Sequence, residues 1–244
     1  MIRLFPFLLL TFLFLACGAE EESGTNDSES SVSTDEDFEI DSAKVLNPIV
    51  DPTDLLDVEE NTDASFVMFE EFYLNLDSIW VYDPDEELKE IHDESANVMV
   101  EVGSYVTGST MYLIPQTEGD FQVYQSYETS VTIMNEGPHC DLLNWKHYQS
   151  DWVEIPVANG SFTALNYSVE QREKFVDVEM DELRSEVEKL CGEQWSDLLS
   201  ETTHPLEYPS GVGINSIYLK IVFTPADGSP VVEKLVEFET PMGC

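Results

Sequence analysis

"INSIYLKIVFTPADGSPVVEKLVEFE", residues 214–239, holds two runs rich in aromatic and β-branched residues on either side of Asp227-Gly228. Such residues suit a pleated, half-buried surface, and Asp-Gly tolerates the positive φ angles of a tight connection. The stretch predicts a β-hairpin. The same logic recurs in "DWVEIPVANGSFTALNYS", 151–168, where two β runs flank Asn159-Gly160, the strongest short hairpin signal in the chain.

From Phe66 onward aromatic and β-branched residues dominate, and turn signals recur about every ten positions. Candidate strands are "SFVMFEEFYL" (65–74), "SIWVYD" (78–83), "NVMVEVG" (97–103) and "TMYLIPQ" (110–116). "FQVYQSY" (121–127) and "TSVTIMN" (129–135) follow the turn "EGD" at 118–120. With the two hairpins this makes about ten strands, enough for two packed sheets. The expected fold class is therefore mainly β, an antiparallel β-sandwich in a single domain spanning 66–244. No repeat of fixed period points to a propeller or solenoid.

One segment departs from the β pattern. Ser168 and Gln171 form a capping box, and Val176, Met180, Leu183, Val187 and Leu190 then follow at steps of four, three, four and three. That spacing predicts one long amphipathic helix, about 168–191, inserted before the C-terminal hairpin, with Gly192 placed to stop it. Its apolar stripe is expected to pack on a sheet of its own domain, since a coiled coil needs more heptads.

Upstream of Ser65 the composition shifts to Ser, Thr, Asp, Glu and Asn, with Pro48 and Pro52. Such a stretch buries too little apolar surface to offset the ordering of its backbone, so 17–65 reads as an acidic tether. A flexible chain of that length has an end-to-end distance of roughly 40 Å.

Before the tether stands "MIRLFPFLLLTFLFLACG", 1–18. Its apolar run, Leu4 to Ala16, falls short of the roughly 20 residues that a span needs. Arg3 in front and small residues behind complete the zones of a signal peptide, 1–16. "FLAC", 14–17, resembles the lipobox of bacterial lipoproteins. The resemblance implies that Cys17 is lipidated and becomes the mature N-terminus of an exported protein anchored through its lipid to the cell envelope. Gly18 after the cysteine implies the outer membrane, with the domain facing the periplasm or the surface. Ala16 and Gly18 also satisfy the small-x-small rule, so plain secretion after cleavage at Gly18 is the alternative, and an uncut anchor a third.

The chain carries 50 acidic and 10 basic residues, a formal charge of −40. Phosphate backbones are bound by neutralising them with Lys and Arg, so nucleic acid is excluded as a partner. An anionic membrane surface is not held electrostatically either, which leaves the lipid to do the holding. The remaining readings of the charge are a solvated surface suited to saline surroundings, or capture of divalent cations or of a basic partner. "DPDEE", 83–87, is too short to form the twelve-residue calcium loop.

Once Cys17 is set aside, Cys140, Cys191 and Cys244 remain, in a compartment that permits disulfides. Three pairings are open. Cys140 with Cys191 is favoured because each lies at the end of a predicted element and well inside the domain, with Cys244 as the alternative partner of either.

Potentially reactive side chains are densest in "GPHCDLLNWKHYQSDW", 137–152. His139, Asp141 and His147 are candidate metal ligands there, for zinc, copper or calcium. The bland reading of the same loop is that Trp145, Tyr148 and Trp152 cover the end of the core while Cys140 staples it. No H-E-x-x-H, paired C-x-x-C or G-x-S-x-G occurs, and "GVG", 211–213, lacks the rest of a nucleotide fingerprint. With so many carboxylates, a close acidic pair discriminates nothing about glycoside hydrolysis.

Three functional expectations follow. The leading one is a lipid-anchored, non-catalytic β-sandwich module with no cofactor, binding a protein, a glycan or a divalent cation, or acting structurally. The second is a metal-dependent hydrolase or metal-binding protein using the 137–152 loop. The third is a carbohydrate-binding module using Trp80, Trp145, Trp152 or Trp195.

Overall fold

The computed structural model describes residues 65–242; the signal segment, Cys17, the tether before Ser65 and Cys244 lie outside them. These residues are mainly β. They form β1 (Phe66–Phe69), β2 (Phe72–Asn75), β3 (Ile91–His92), β4 (Ser95–Met99), β5 (Thr110–Pro115) and β6 (Gly119–Ile133). There follow β7 (Cys140–Asp141), β8 (Tyr148–Gln149), β9 (Val153–Ile155), β10 (Ser161–Thr163), β11 (Ser210–Pro225) and β12 (Val232–Glu239). Three helices, α1 (Val169–Arg172), α2 (Met180–Cys191) and α3 (Glu193–Leu198), lie between β10 and β11.

The strands build two sheets. One has the order β10-β5-β2-β1-β3; the other has β4-β12-β11-β6-β7, with β8 and β9 also pairing with β6. The backbone of the second is the β6–β11 ladder, running from Gly119 opposite Pro225 to Ile133 opposite Ser210, with a register shift between Ile214 and Ser216. The hairpin read around Asp227-Gly228 is β11–β12, with Gly228 at φ 83° in the connection. Gly119 opens β6 where no side chain fits. A Cβ there would lie 2.5 Å from the Phe223 ring and 2.6 Å from the Thr224 carbonyl oxygen.

Several expectations need correction. The sheets are mixed, not purely antiparallel: β3 runs parallel to β1, and β4 runs parallel to β12. The two short strands are separated only by Asp93-Glu94, so the chain leaves the edge of one sheet and joins the edge of the other. Such edge pairing is set by long-range contacts that local propensity does not encode. "SFVMFEEFYL" is two strands, β1 and β2, whereas 121–135 is covered by the single 15-residue β6 as far as Ile133. "SIWVYD" contributes one bridge, Val81 to Val100.

Asn159-Gly160 does turn the chain, with φ of 53° and 73°. The runs around it nonetheless part company: β9 pairs with β6 and β10 with β5, in different sheets.

The long helix is also broken. Ser168 and Gln171 make the capping box, but it serves only the single turn of α1. Between α1 and α2 the β-branched Val176 and Val178 and the intervening Asp177 are poor helix formers. Tertiary contacts there compete with helix formation, since the Lys174 carbonyl accepts a hydrogen bond from Thr129 Oγ1 at 2.6 Å and Phe175 packs beside Trp145. Of the expected stripe, Leu183 and Val187 are buried, whereas Val176 and Leu190 are exposed. Gly192 stops α2 at φ 97°.

Two apolar clusters hold these elements. The larger draws on both sheets: Phe72 of β2 meets Phe121 and Phe223 of the second sheet, at 5.3 and 6.4 Å between ring centroids. Burying each such ring is worth about 1.5–3 kcal/mol. Along β6 the period of two then carries the same face from Tyr127 in this cluster to Val131 and Ile133 in the second. There the covering is supplied by Leu183 and Val187 of α2 and by Leu199. Cys140 and Cys191 close this second cluster as a disulfide, with their Cα atoms 6.2 Å apart.

Candidate functional site

The face of the second sheet turned away from the shared core bears Ser216, Tyr218, Lys220 and Val222 of β11, set by the strand's alternation against the buried Ile217, Leu219, Ile221 and Phe223. At one end of this face lies a groove of about 650 Å³. Strand order explains its floor. One row runs Met99, Glu239, Ser216, Glu128 and Gln149 across β4, β12, β11, β6 and β8. The next row runs Asn97, Glu237, Tyr218 and Ser126, and of these Glu237 reaches the groove. The end of β4 with Glu101 and Val102 bounds one side, and Asp141 with Leu143 bounds the other.

Among the described residues, five carboxylates line the groove, those of Glu101, Glu128, Asp141, Glu237 and Glu239, and no lysine or arginine does. Neutral donors position several of them. Asn97 Nδ2 donates to Glu239 Oε1 at 2.6 Å, Asn215 Nδ2 donates to Glu128 Oε1 at 3.0 Å, and Thr132 Oγ1 donates to Asp141 Oδ1. The lysine and arginine ion pairs of the described residues engage Glu71, Glu86, Asp181, Glu182 and Glu186, all outside it. Lys220, on the same sheet face, is held over Tyr124 and Trp152, its ammonium 5.0 and 5.1 Å from their ring centroids. Burial pushes the Tyr218 hydroxyl above its ordinary pKa, and the Glu237 and Glu128 charges push it the same way.

Apolar side chains share the groove with this charge. Tyr82 and Val102 are 56% and 67% exposed, and Met99 and Leu143 about half exposed. Trp80 stands beside Tyr82 on the same strip, which hydrogen-bonds to the end of β4 and the segment after it through Tyr82 N to Met99 O and Glu101 N to Trp80 O.

The sequence-derived metal ligands lie around the groove, Asp141 lining it and the two histidines each beside a residue that does. His139 Nδ1 lies 3.4 Å from the Met242 carbonyl oxygen. Asp141 sits in β7 at the groove and accepts from Thr132. His147 Nε2 lies 3.6 Å from Glu128 Oε2. Among the described residues, no group of three or more His, Cys, Asp or Glu side chains is arranged to hold a metal ion. The aromatic residues of the loop are split as well. Trp145 packs on the second cluster and Tyr148 on the first, while Trp152 meets Lys220.

Compared with protein-family models, curated proteins and solved structures, the chain matches none.

The sequence reading missed Glu128, Glu237, Glu239, Tyr82 and Met99 as a set. The only available signal was the alternation of β12, where Glu233, Glu237 and Glu239 share the face opposite Val236 and Phe238. Which carboxylates of neighbouring strands lie beside them depends on register.

Proposed function

We propose that the chain is a lipid-anchored, non-catalytic binding module of the bacterial cell envelope, a β-sandwich carried on an acidic tether and presenting the groove on its second sheet. The sandwich reading is supported by the rings of Phe72, Phe121 and Phe223, which pack together from both sheets. The binding role is carried by one observation: Glu128, Asp141, Glu237, Glu239 and Met99 of the groove stand on strands, so the ladders beneath them hold these side chains at set spacings. Rigid positioning of this kind favours recognition, because little conformational freedom is lost when a ligand arrives. Envelope anchoring rests on the lipobox-like "FLAC" and the acidic stretch after it. Several acyl chains on one cysteine give the stable attachment that a single chain does not.

Cys17→Ser tests the anchor. Fractionation of cells labelled with a radioactive fatty acid is expected to place the labelled wild-type protein with membranes. The variant should carry no label and should become soluble or accumulate uncut. A variant as processed and as tightly membrane-bound as the wild type would refute the proposal.

A further inference from the structure

We infer that Lys234 and Gln116 become joined by an amide bond between their side chains, formed by the protein itself with Glu71 as the proton-transfer group. The inference stands apart from the groove and from the anchor. It starts from strand alternation: Lys234 shares the core-facing side of β12 with Val236 and Phe238. At 7% exposure it is the one charged residue of the buried set among the described residues. A lysine is almost never buried so far unless it is paired. Its ammonium lies 5.5 Å from the centre of the Phe69 ring, donates to the Asp93 carbonyl oxygen and stands 2.9 Å from Glu71 Oε2.

That last contact lies outside hydrogen-bond geometry, and Glu71 Oε2 is buried with no hydrogen-bond partner. Gln116 completes the group. Phe72 of β2 pairs with Pro115 of β5, and the pairing continues by one position, Gln116 N donating to the Glu71 carbonyl oxygen at 2.9 Å. Residues opposite each other in an antiparallel pair project to the same side, with Cβ atoms about 5 Å apart. The Gln116 carboxamide is therefore the cross-strand neighbour of the Glu71 carboxylate, and its Nε2 is also buried with no hydrogen-bond partner. Buried polar atoms left unpaired are rare and call for an explanation. An amine, a carboxylate and a carboxamide gathered in one shielded place are the nucleophile, base and electrophile of an acyl transfer.

The steps balance without a co-reactant. Glu71 takes a proton from the Lys234 ammonium, a transfer that burial assists because desolvation offsets the attraction between the two ions. The freed lone pair of Nζ forms a bond to Cδ of Gln116. Collapse of the adduct breaks the Cδ–Nε2 bond as Glu71 gives its proton to the departing nitrogen, and the ammonia takes up the proton that the new amide nitrogen loses. The products are one secondary amide and one ammonium ion, with Glu71 again a carboxylate and no change of oxidation state. Holding the reacting groups together replaces an encounter from solution, which is worth an effective molarity of about 10⁵ M or more. The bond ties the end of β5 in one sheet to β12 in the other.

The test is peptide mapping by mass spectrometry on the full-length mature protein, reduced, alkylated and digested with trypsin and a glutamate-specific protease. The expected result is a branched peptide carrying Gln116 and Lys234, lighter by one ammonia than its two arms, with no cleavage after Lys234. Glu71→Gln keeps the shape and removes the base; once circular dichroism confirms its fold, it should lower the yield of the branch about tenfold or more. Lys234→Arg keeps the charge without the amine and should give no branch. Linear peptides alone from the wild type would overturn the inference in favour of a plain buried ion pair. A branch lighter by one water and running to Glu71 would overturn it in favour of condensation with the carboxylate. An undiminished branch in the folded Glu71→Gln protein would overturn the part given to Glu71.

Discussion

Replacing Cys140 and Cys191 together by alanine is expected to remove a large share of this domain's stability. The bond joins β7, at the end of the β4-to-β7 strand order, to the last residue of α2 across a sequence separation of 51. The closed loop carries β8, β9, β10 and α1 as well as α2. On the chain-entropy model a loop of that length restricts the unfolded chain by about 4 kcal/mol at 25 °C. In the folded state Val131, Ile133, Leu183 and Val187 still cover one another, so the change acts chiefly on the unfolded ensemble. With a urea dependence of about 2 kcal/mol per molar, the unfolding midpoint should fall by about 2 M. The slope should rise, because an unlinked denatured chain exposes more surface. Urea titration followed by tryptophan fluorescence measures both, and reductant acting on the wild type should reproduce the shift. A midpoint within about 0.3 M of the wild type would refute the reasoning. Peptide mapping without reductant should recover a fragment joining Cys140 to Cys191, and a fragment joining Cys244 to either would refute the pairing.

Two further predictions concern packing and pH. Gly119→Ala should destabilise by about 1–3 kcal/mol, because the new methyl group meets the Phe223 ring and the Thr224 carbonyl at sub-contact distance; an unchanged thermal midpoint would contradict this. Tyr167 is pushed up to about 12 by burial, against the opposing hydrogen bond in which its hydroxyl accepts from Gln125 Nε2 at 2.6 Å. Its folded-state value lies above the unfolded value of about 10, so its stabilisation is complete below that pH and is lost as pH rises toward 12. Urea midpoints of the wild type should therefore fall across that window, and Tyr167→Phe should flatten the fall. An identical pH slope in the variant would rule the account out.

Legibility differs from element to element. The β11–β12 hairpin was legible because its two runs and Asp227-Gly228 lie within one continuous stretch and pair with each other. The Asn159-Gly160 turn was equally legible as a turn, but its flanking runs answer to β6 and β5, far away in the chain. The helix stripe failed at its N-terminal half because Thr129 takes the Lys174 carbonyl and Phe175 turns in beside Trp145. His139, Asp141 and His147 are neighbours in sequence and lie around one groove, with Asp141 in its lining. In space His139 faces the Met242 carbonyl, and His147 faces Glu128.

Composition and local pattern alone determined that residues 65–242 are mainly β, that Gly192 ends a helix and that Cys140 and Cys191 are suitable partners. Each of these depends on a residue's own conformational preference or on a short-range pattern, which single positions carry. Only the tertiary structure decided that the sheets are mixed, that β6 and β11 carry one face through two cores, and that Glu128, Glu237 and Glu239 share a groove with Tyr82 and Met99. Those facts depend on register between strands far apart in the chain. A shift of one residue in any of the pairings would turn those side chains to the other face.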